Sequence, residues 1–334
     1  MMKGTILVVG GAGYIGAHMV KRLRGAGFQP VVLDDLSGGR REAVAGQRLV
    51  VADLGDAGAV DALLQAFSFD AVMHFASFIQ VGESVVQPVK YYDNNVGNTV
   101  RLLDAMLRQQ VGKFIFSSTA AIFGEPQYVP IDERHPKDPI NPYGRSKWMV
   151  EQILADADHA HGLRSSCLRY FNAAGADPDA EMGECHEPET HLIPLILQAA
   201  SGRRASITIF GENYETPDGT CIRDYIHVLD LCDAHLLALE ALLEGGPSTR
   251  YNLGNGAGYS ILEVIDAVER VTGSKIVRES GPRRPGDPPV LVADATLART
   301  ALRWRPQFAD IDTIIAHAWR WEQLHFAADH VRPS

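Results

Sequence analysis

The sequence predicts an α/β fold, a doubly wound parallel-sheet domain joined to a smaller α/β domain, and three observations carry that expectation. Short apolar runs of strand length alternate with helix-period segments through the first half of the chain. Those runs are apolar at successive positions, the pattern of strands covered by helices on both faces. A glycine-rich turn leads from the first run into the first helical segment. Strands are expected at 5–9, 30–33, 48–52, 70–75, 113–117 and 164–171, and helices at 14–25, 57–67, 92–109 and 142–161. After about Asn172 the regularity fades, and 173–189, rich in Gly, Pro, Asp and Glu, reads as a loop or domain boundary. Beyond it a helix is expected at 194–201, a strand at 206–210 and helices at 231–243, 261–272 and 311–325. The segment 282–289 holds four prolines and reads as a loop.

A length of 334 residues suits about two structural units. With 31 Lys and Arg against 41 Asp and Glu, the net charge of −10 has the wrong sign for a nucleic-acid partner, because phosphate backbones select basic faces. No run reaches the ~18 apolar residues of a membrane-spanning helix. The apolar stretch at 6–9 is too short for the core of a signal peptide. Cys167, Cys185, Cys221 and Cys232 show neither C-x-x-C pairing nor disulfide spacing. The expectation is a soluble, reduced, cytoplasmic protein with no membrane or nucleic-acid partner.

Gly10, Gly13 and Gly16 are spaced G-x-x-G-x-x-G between the first strand and the first helix. Missing Cβ atoms let the backbone turn tightly and approach a pyrophosphate seated on the helix N-terminus. Asp34 follows Gly16 by 18 residues, where an acidic side chain takes the adenosine ribose hydroxyls. A carboxylate there repels a 2′-phosphate, so NAD is expected over NADP. Asp53, closing the third strand, suits the adenine amino group.

Asn141 is a good N-cap and Pro142 suits the first helical position, so Tyr143 and Lys147 fall at i and i+4 on one helix face. A lysine ammonium beside a phenol stabilises the phenolate, and a nicotinamide cation adds to the effect. Lowering a tyrosine from about 10 to about 7 takes roughly 4 kcal/mol, within reach of two nearby positive charges in a desolvated site. Ser117 to Thr119 end a strand at the crevice of such a sheet, and the Thr119 hydroxyl is placed to bond a substrate alcohol and pass its proton toward the tyrosine. Cys185, His186, Glu187 and His191 lie close together, as do His159 and His161, but without zinc-site spacing, so no metal is expected.

The stretches 10–16, 81–84, 91–96, 117–124, 142–147, 169–172, 223–228 and 251–254 together resemble the extended short-chain dehydrogenase/reductase family, and within it the UDP-glucose 4-epimerases. The resemblance runs through nearly the whole chain in family order. It implies an NAD-binding Rossmann domain over 1–176 and a mainly UDP-sugar-binding domain over 177–334, with some later segments returning to the first. It also implies a tightly held NAD, a catalytic Tyr143 that takes the sugar O4 proton, a Lys147 that tunes the tyrosine and touches the ribose, and a Thr119 that bonds O4. Cofactor contacts would come from Gly10, Gly13, Tyr14, Ile15, Gly16, Asp34, Asp53, Leu54, Phe75, Ala76, Asn94, Ser117, Tyr143, Lys147 and Tyr170. Substrate contacts would come from Thr119, Tyr143, Phe171, Asn172, His191, Arg223, Arg284, Asp287 and Leu291. Asn172 and the two arginines would hold the diphosphate, and Asp287 the uridine ribose. Many relatives are homodimers that pair the helices expected at 92–109 and 142–161.

Three positions depart from the family. Ile79 stands where many members carry a cofactor lysine, and His191 where relatives place an asparagine on the diphosphate. Leu291 replaces a bulky tyrosine near the sugar 2-position, which keeps UDP-N-acetylhexosamine and UDP-pentose substrates open. Ala120 and Ala121 replace the acidic residues of related dehydratases and decarboxylases and cannot serve as acid or base. A non-catalytic NAD sensor on the same fold is the competing class, and an intact Tyr143, Lys147 and Thr119 speaks against it.

Overall fold

The computed structural model describes residues 3–284 and 287–326. The first half runs β1 (Thr5–Val9), α1 (Tyr14–Gly25), β2 (Gln29–Asp34), β3 (Arg48–Val51), α2 (Ala57–Ala66), β4 (Ala71–His74), α3 (Val81–Val86), α4 (Pro88–Tyr92), α5 (Asn98–Arg108), β5 (Lys113–Thr119), α6 (Pro142–His161) and β6 (Arg164–Tyr170). There follow β7 (Asn172–Ala174), α7 (Leu192–Ala200), β8 (Ile207–Phe210), β9 (Ile222–His227), α8 (Val228–Leu243), β10 (Thr249–Leu253), β11 (Gly258–Ser260), α9 (Ile261–Thr272), β12 (Arg278–Gly281), β13 (Val290–Leu291), α10 (Thr296–Ala301) and α11 (Ile311–Phe326).

Seven of these strands form one parallel sheet in the order β10-β6-β5-β4-β1-β2-β3. The consecutive apolar residues of each strand serve two cores. Ile6, Val8, Val32, Met73, Ile115 and Leu168 face α1 and α8, while Leu7, Val9, Val31, Leu33, Val72, Phe114 and Phe116 pack with α2, α5 and α6. Doubly covered parallel strands need this composition. Helix ends follow local chemistry: the Asn141 side chain accepts from the Gly144 N–H at the start of α6, and Gly162 in the left-handed region ends it.

A third core, built on Ile196, Ile209, Val264, Val268 and Ile314, joins α7, α9, α11 and β8. It meets the first through β9, which pairs with β7, β11 and β13. The chain also returns: β10 pairs with β6, and α8 packs on α1. Among the described residues no helix is long and apolar enough to cross a membrane.

The helix expected at 92–109 is interrupted. A π-helical turn, Asp93–Gly97, separates α4 from α5, and α3 precedes both. Within that turn the Asn95 side chain accepts from the Phe78 N–H and donates to Ser146 Oγ on α6, tying the turn to both neighbours. β7, β9, β10, β11, β12 and β13 all lie in stretches read as irregular or left unassigned. They are two to six residues long and too polar to stand out. Of the loop expected at 282–289, Pro285 and Gly286 lie outside the described residues, and the rest is irregular as expected.

Glu151 on α6 is fully buried, accepts from Ser118 Oγ at 2.6 Å, and takes a two-pronged hydrogen bond from Arg169 on β6 at 2.9 and 2.5 Å. Removing one member of a buried ion pair strands the other, at a cost of about 3–5 kcal/mol. Glu151→Ala should lose stability of that order in urea unfolding, and far more than Asp104→Ala in the exposed Asp104–Arg108 pair.

Candidate active site

Parallel pairing puts the C-terminal ends of β1, β4 and β5 side by side, and each end delivers one part of the site. After β1 comes the glycine turn. A Cβ at Gly16 would lie 2.1 Å from the Gly10 carbonyl oxygen, and one at Gly10, where φ is +76°, would lie 2.4 Å from the Ala76 nitrogen. Those two glycines are required by the protein's own packing. Gly13 is different: its Cβ would meet only the Gly10 oxygen, at 3.5 Å, so its bareness leaves room for something outside the chain. Gly13 is also the N-cap of α1 and no side chain caps that helix, which leaves first-turn N–H groups for a phosphate. A dinucleotide pyrophosphate fits this cradle.

Asp34, at the end of β2, accepts the N–H groups of Ala12 and Leu36, both at 2.8 Å, and is almost fully buried. Burial raises its carboxyl above the ordinary range, and the two backbone bonds oppose that. It therefore fixes the glycine turn. After β4, the Phe75 and Ala76 N–H groups both donate to the Val9 carbonyl, pressing that segment against the turn. Asn94 sits in the π turn beside Asn95 and Asn98.

From β5, Ser117 Oγ and Tyr170 Oη share a hydrogen bond at 2.5 Å, and Thr119 Oγ1 accepts from the Ala121 N–H. The Thr119 side chain stands near the Tyr143 phenol and favours its ionised form. Lys147 Nζ donates to the Ser117 carbonyl at 2.9 Å and lies over the Phe116 ring. Tyr143, Lys147 and Thr119 thus all lie at the end of β5. Their electrostatics differ from the expectation. In the chain alone, burial raises Tyr143 above the ordinary phenol value, with only the Thr119 side chain opposing. Burial likewise lowers Lys147, to about 7. Burial thus disfavours the charged form of both groups, so acidification of the phenol needs positive charge that the folded chain alone does not supply to it.

The substrate set divides. Arg223 is nearly buried on β9 and donates to Asp287 and to the Ile222 carbonyl. The residue expected on the diphosphate and the one expected on the ribose are therefore bound to each other. Leu291 sits opposite Arg223 in the β13–β9 pairing, and with Phe171 it packs on the small cluster around Ala120 and Phe123. Asn172 donates its amide to the Asp224 carbonyl. Arg284 is exposed with its guanidinium over the Phe210 ring, apart from Arg223. Asp53 is exposed and accepts the Gly55 N–H, while Leu54 packs on the α2 side of the sheet. Ile15 packs into the α1–α8 core, and Tyr14 donates its hydroxyl to the Gly175 carbonyl. Ile79 is partly exposed. His191, the N-cap residue of α7, points its Nδ1 at Glu184 and Glu189.

Sequence reasoning passed over Glu151, although it continues the Tyr143–Lys147 face by one more turn. It also passed over Asn95, which bonds α6. It grouped Cys185 and Glu187 with the two histidines, whereas the fold gathers Glu184, His186, Glu189 and His191.

The NAD dependent epimerase/dehydratase family matches residues 6–254. The UDP-glucose 4-epimerase of Azospirillum brasilense is 52% identical over 319 residues, covering 95% of this chain and 92% of that protein. A UDP-glucose 4-epimerase from Brucella ovis, solved in complex with NAD, superposes with a TM-score of 0.93 at 49% identity, covering 95% of this chain and 98% of that one. A UDP-Glc/GlcNAc 4-epimerase from Campylobacter jejuni gives a TM-score of 0.84 at 44% identity, over 96% of this chain and 99% of that one.

Because the folded Lys147 amine gives up its proton near pH 7 and the unfolded one keeps it to about 10, the unfolded state binds more protons across that window and stability rises with pH there. Lys147→Met should therefore be more stable than the parent at pH 7, with the advantage shrinking by about 1–3 kcal/mol at pH 9.5. Urea unfolding of both proteins at the two pH values, at one NAD concentration, checks this. Buried thiols titrate alike in the two proteins and cancel.

Proposed function

Because the chain belongs to the NAD dependent epimerase/dehydratase family, we propose that it interconverts UDP-glucose and UDP-galactose with NAD at the site around Tyr143, Lys147 and Thr119. The observation that carries this reading is the meeting of those three side chains at the end of β5, beside a cradle shaped for a pyrophosphate. NAD, when bound, supplies the hydride acceptor and donor for the sugar C4. The chain's own part is the O4 proton. The Tyr143 phenolate takes it as the C4 alcohol becomes a ketone and returns it when the ketone is reduced on its other face. The Thr119 hydroxyl turns O4 toward the phenol, and Lys147, anchored on the Ser117 carbonyl, favours the phenolate when protonated.

For both faces of the ketone to be used, the sugar must turn while the nucleotide stays. Asn172, His191, Arg223 and Arg284 hold the UDP diphosphate, Asp287 the ribose, and Phe171 and Leu291 wall the sugar. Residues 1–176 carry mainly the cofactor and 177–334 mainly the UDP-sugar. Ala120 and Ala121 lie in a short 3₁₀ turn capped by Thr119, so no acid or base stands where elimination of water would need one. Lys147 also counts against a mere sensor, since a binding protein has no use for a lysine desolvated enough to titrate near 7. The chain acts as a homodimer: helices α3 to α6, which pack on one another, leave Val85, Val86, Val89, Val100 and Met149 exposed.

Purified protein given UDP-galactose without added cofactor should form UDP-glucose. Tyr143→Phe should lower that rate by about 10²–10⁴-fold while bound NAD is retained; an active variant overturns the catalytic assignment. Leu291 favours a second reading, action on UDP-N-acetylhexosamines or UDP-pentoses, because a leucine at the sugar wall leaves space. Comparison of kcat/KM across these sugars, with Leu291→Tyr expected to depress the bulkier N-acetyl substrate selectively, decides between them. Light scattering of the purified protein tests the dimer.

A further inference from the structure

The segment between β7 and α7 passes over the start of α1, where it is held by the Tyr14 hydroxyl on the Gly175 carbonyl, by the Lys21–Asp177 ion pair and by the Trp321 indole N–H on the Glu184 carbonyl. Near its end, Glu184, His186, Glu189 and His191 each offer one donor atom, and these four atoms all lie within 4.8 Å of one another. The two carboxylates are nearly buried, with 7% and 5% of their side-chain surface exposed. No lysine or arginine is paired with either among the described residues.

The distances discriminate between a cation site and ordinary hydrogen bonding. His186 Nδ1 lies 3.1 Å from Glu184 and 3.7 Å from Glu189, and His191 Nδ1 lies 2.7 Å from Glu184 and 3.1 Å from Glu189. The same Glu184 oxygen, Oε1, stands near both nitrogens, and the same two carboxylates serve both rings. A ring N–H can satisfy one acceptor well, not two. The buried His186 Nδ1 in fact makes no hydrogen bond of acceptable geometry to either carboxylate. A divalent ion with bonds of about 2.0–2.2 Å to nitrogen and oxygen spaces its tetrahedral ligands about 3.4 Å apart, within the observed spread. Glu189 Oε1 also accepts the backbone N–H groups of Thr190 and His191, the kind of outer support that orients a ligating carboxylate.

We propose that Glu184, His186, Glu189 and His191 form a binding site for a divalent transition-metal ion of zinc type. Two imidazoles and two carboxylates suit Zn²⁺ over Mg²⁺ or Ca²⁺, which take oxygen ligands. The His186 ring stands edge-on to Tyr14, 6.5 Å away, so the bound ion ties the crossing segment down beside the phosphate cradle. It also fixes His191 at the head of α7. Its role is to hold the segment in place, and it takes no part in the chemistry at C4.

The test uses the purified, NAD-bearing protein after chelator dialysis, titrated calorimetrically with ZnCl₂ in the absence of any UDP-sugar. One saturable site per chain is expected, with binding at least tenfold weaker in both His186→Ala and Glu189→Gln. His161→Ala, at the far end of α6, should bind as the parent does. Co²⁺ added to the parent should give the intense visible absorption of a tetrahedral complex, a readout that needs no variant to fold. Absence of a saturable site, unchanged binding in both cluster variants, or only the weak absorption of six-coordinate Co²⁺ overturns the proposal. None of these readouts depends on turnover, so they stand apart from the outcome of the epimerase assay.

Discussion

The register of α6 on β5 is the constraint on which the site depends. Three consecutive residues of the strand meet three residues spaced four apart on the helix: the Ser117 carbonyl accepts from Lys147, the Ser118 hydroxyl donates to Glu151, and the Thr119 side chain stands near Tyr143. One strong contact sets the phase of helix on strand. Glu151, doubly bound by Arg169 and fully buried, is the contact with the energy to do so. A slip of one residue in α6 would bury that charge unpaired and turn Tyr143 off the cleft.

The glycine turn depends on similar close contact. Gly10 and Gly16 are bare because the Ala76 nitrogen and the Gly10 carbonyl already occupy the space a side chain would need. The turn is therefore preformed, and the first-turn N–H groups of α1 stay open without waiting for a ligand to order them. Asp34 strengthens this by accepting the Ala12 N–H. On the other side of the crevice, Asn95 bonds both the Phe78 backbone and Ser146 of α6, so the segment after β4 is tied to that helix.

What the sequence reveals and what it hides follow from how far each interaction reaches along the chain. Strands β1 to β6 and helices α1 and α6 are legible because their signals are local: apolar runs, the glycine spacing, the Asn-Pro start of α6. β10 is not legible as a seventh strand, since its place beside β6 is set by pairing across about eighty residues. The break between α4 and α5 hides because helical structure runs on either side of it, while the contacts Asn95 makes there, to Phe78 and Ser146, lie far away in sequence. In the site, Tyr143, Lys147 and Thr119 are visible from spacing and strand ends. The union of Arg223 with Asp287 is not, and neither is the convergence of Glu184 and Glu189 on two histidines, because both depend on tertiary approach.

That union bears on how an acidic chain accepts an acidic substrate. With a net charge of −10, the protein as a whole repels a nucleotide diphosphate, so attraction has to be local. A lone arginine on β9, as buried as Arg223 is, would be costly to desolvate, and Asp287 offsets that cost. The guanidinium has five donors in a rigid fork, and the bonds to Asp287 and the Ile222 carbonyl use only part of them. The arginine is thus held in one orientation with donors to spare. On the roles proposed for these residues, a diphosphate arriving on the free side would meet a preset fork instead of ordering a flexible one, and Asp287, held on the same guanidinium, would stand ready for the ribose hydroxyls. Pairing the two residues before substrate arrives would then join the proposed phosphate and ribose subsites into one rigid unit, the fixed end that a sugar needs if it alone is to turn over.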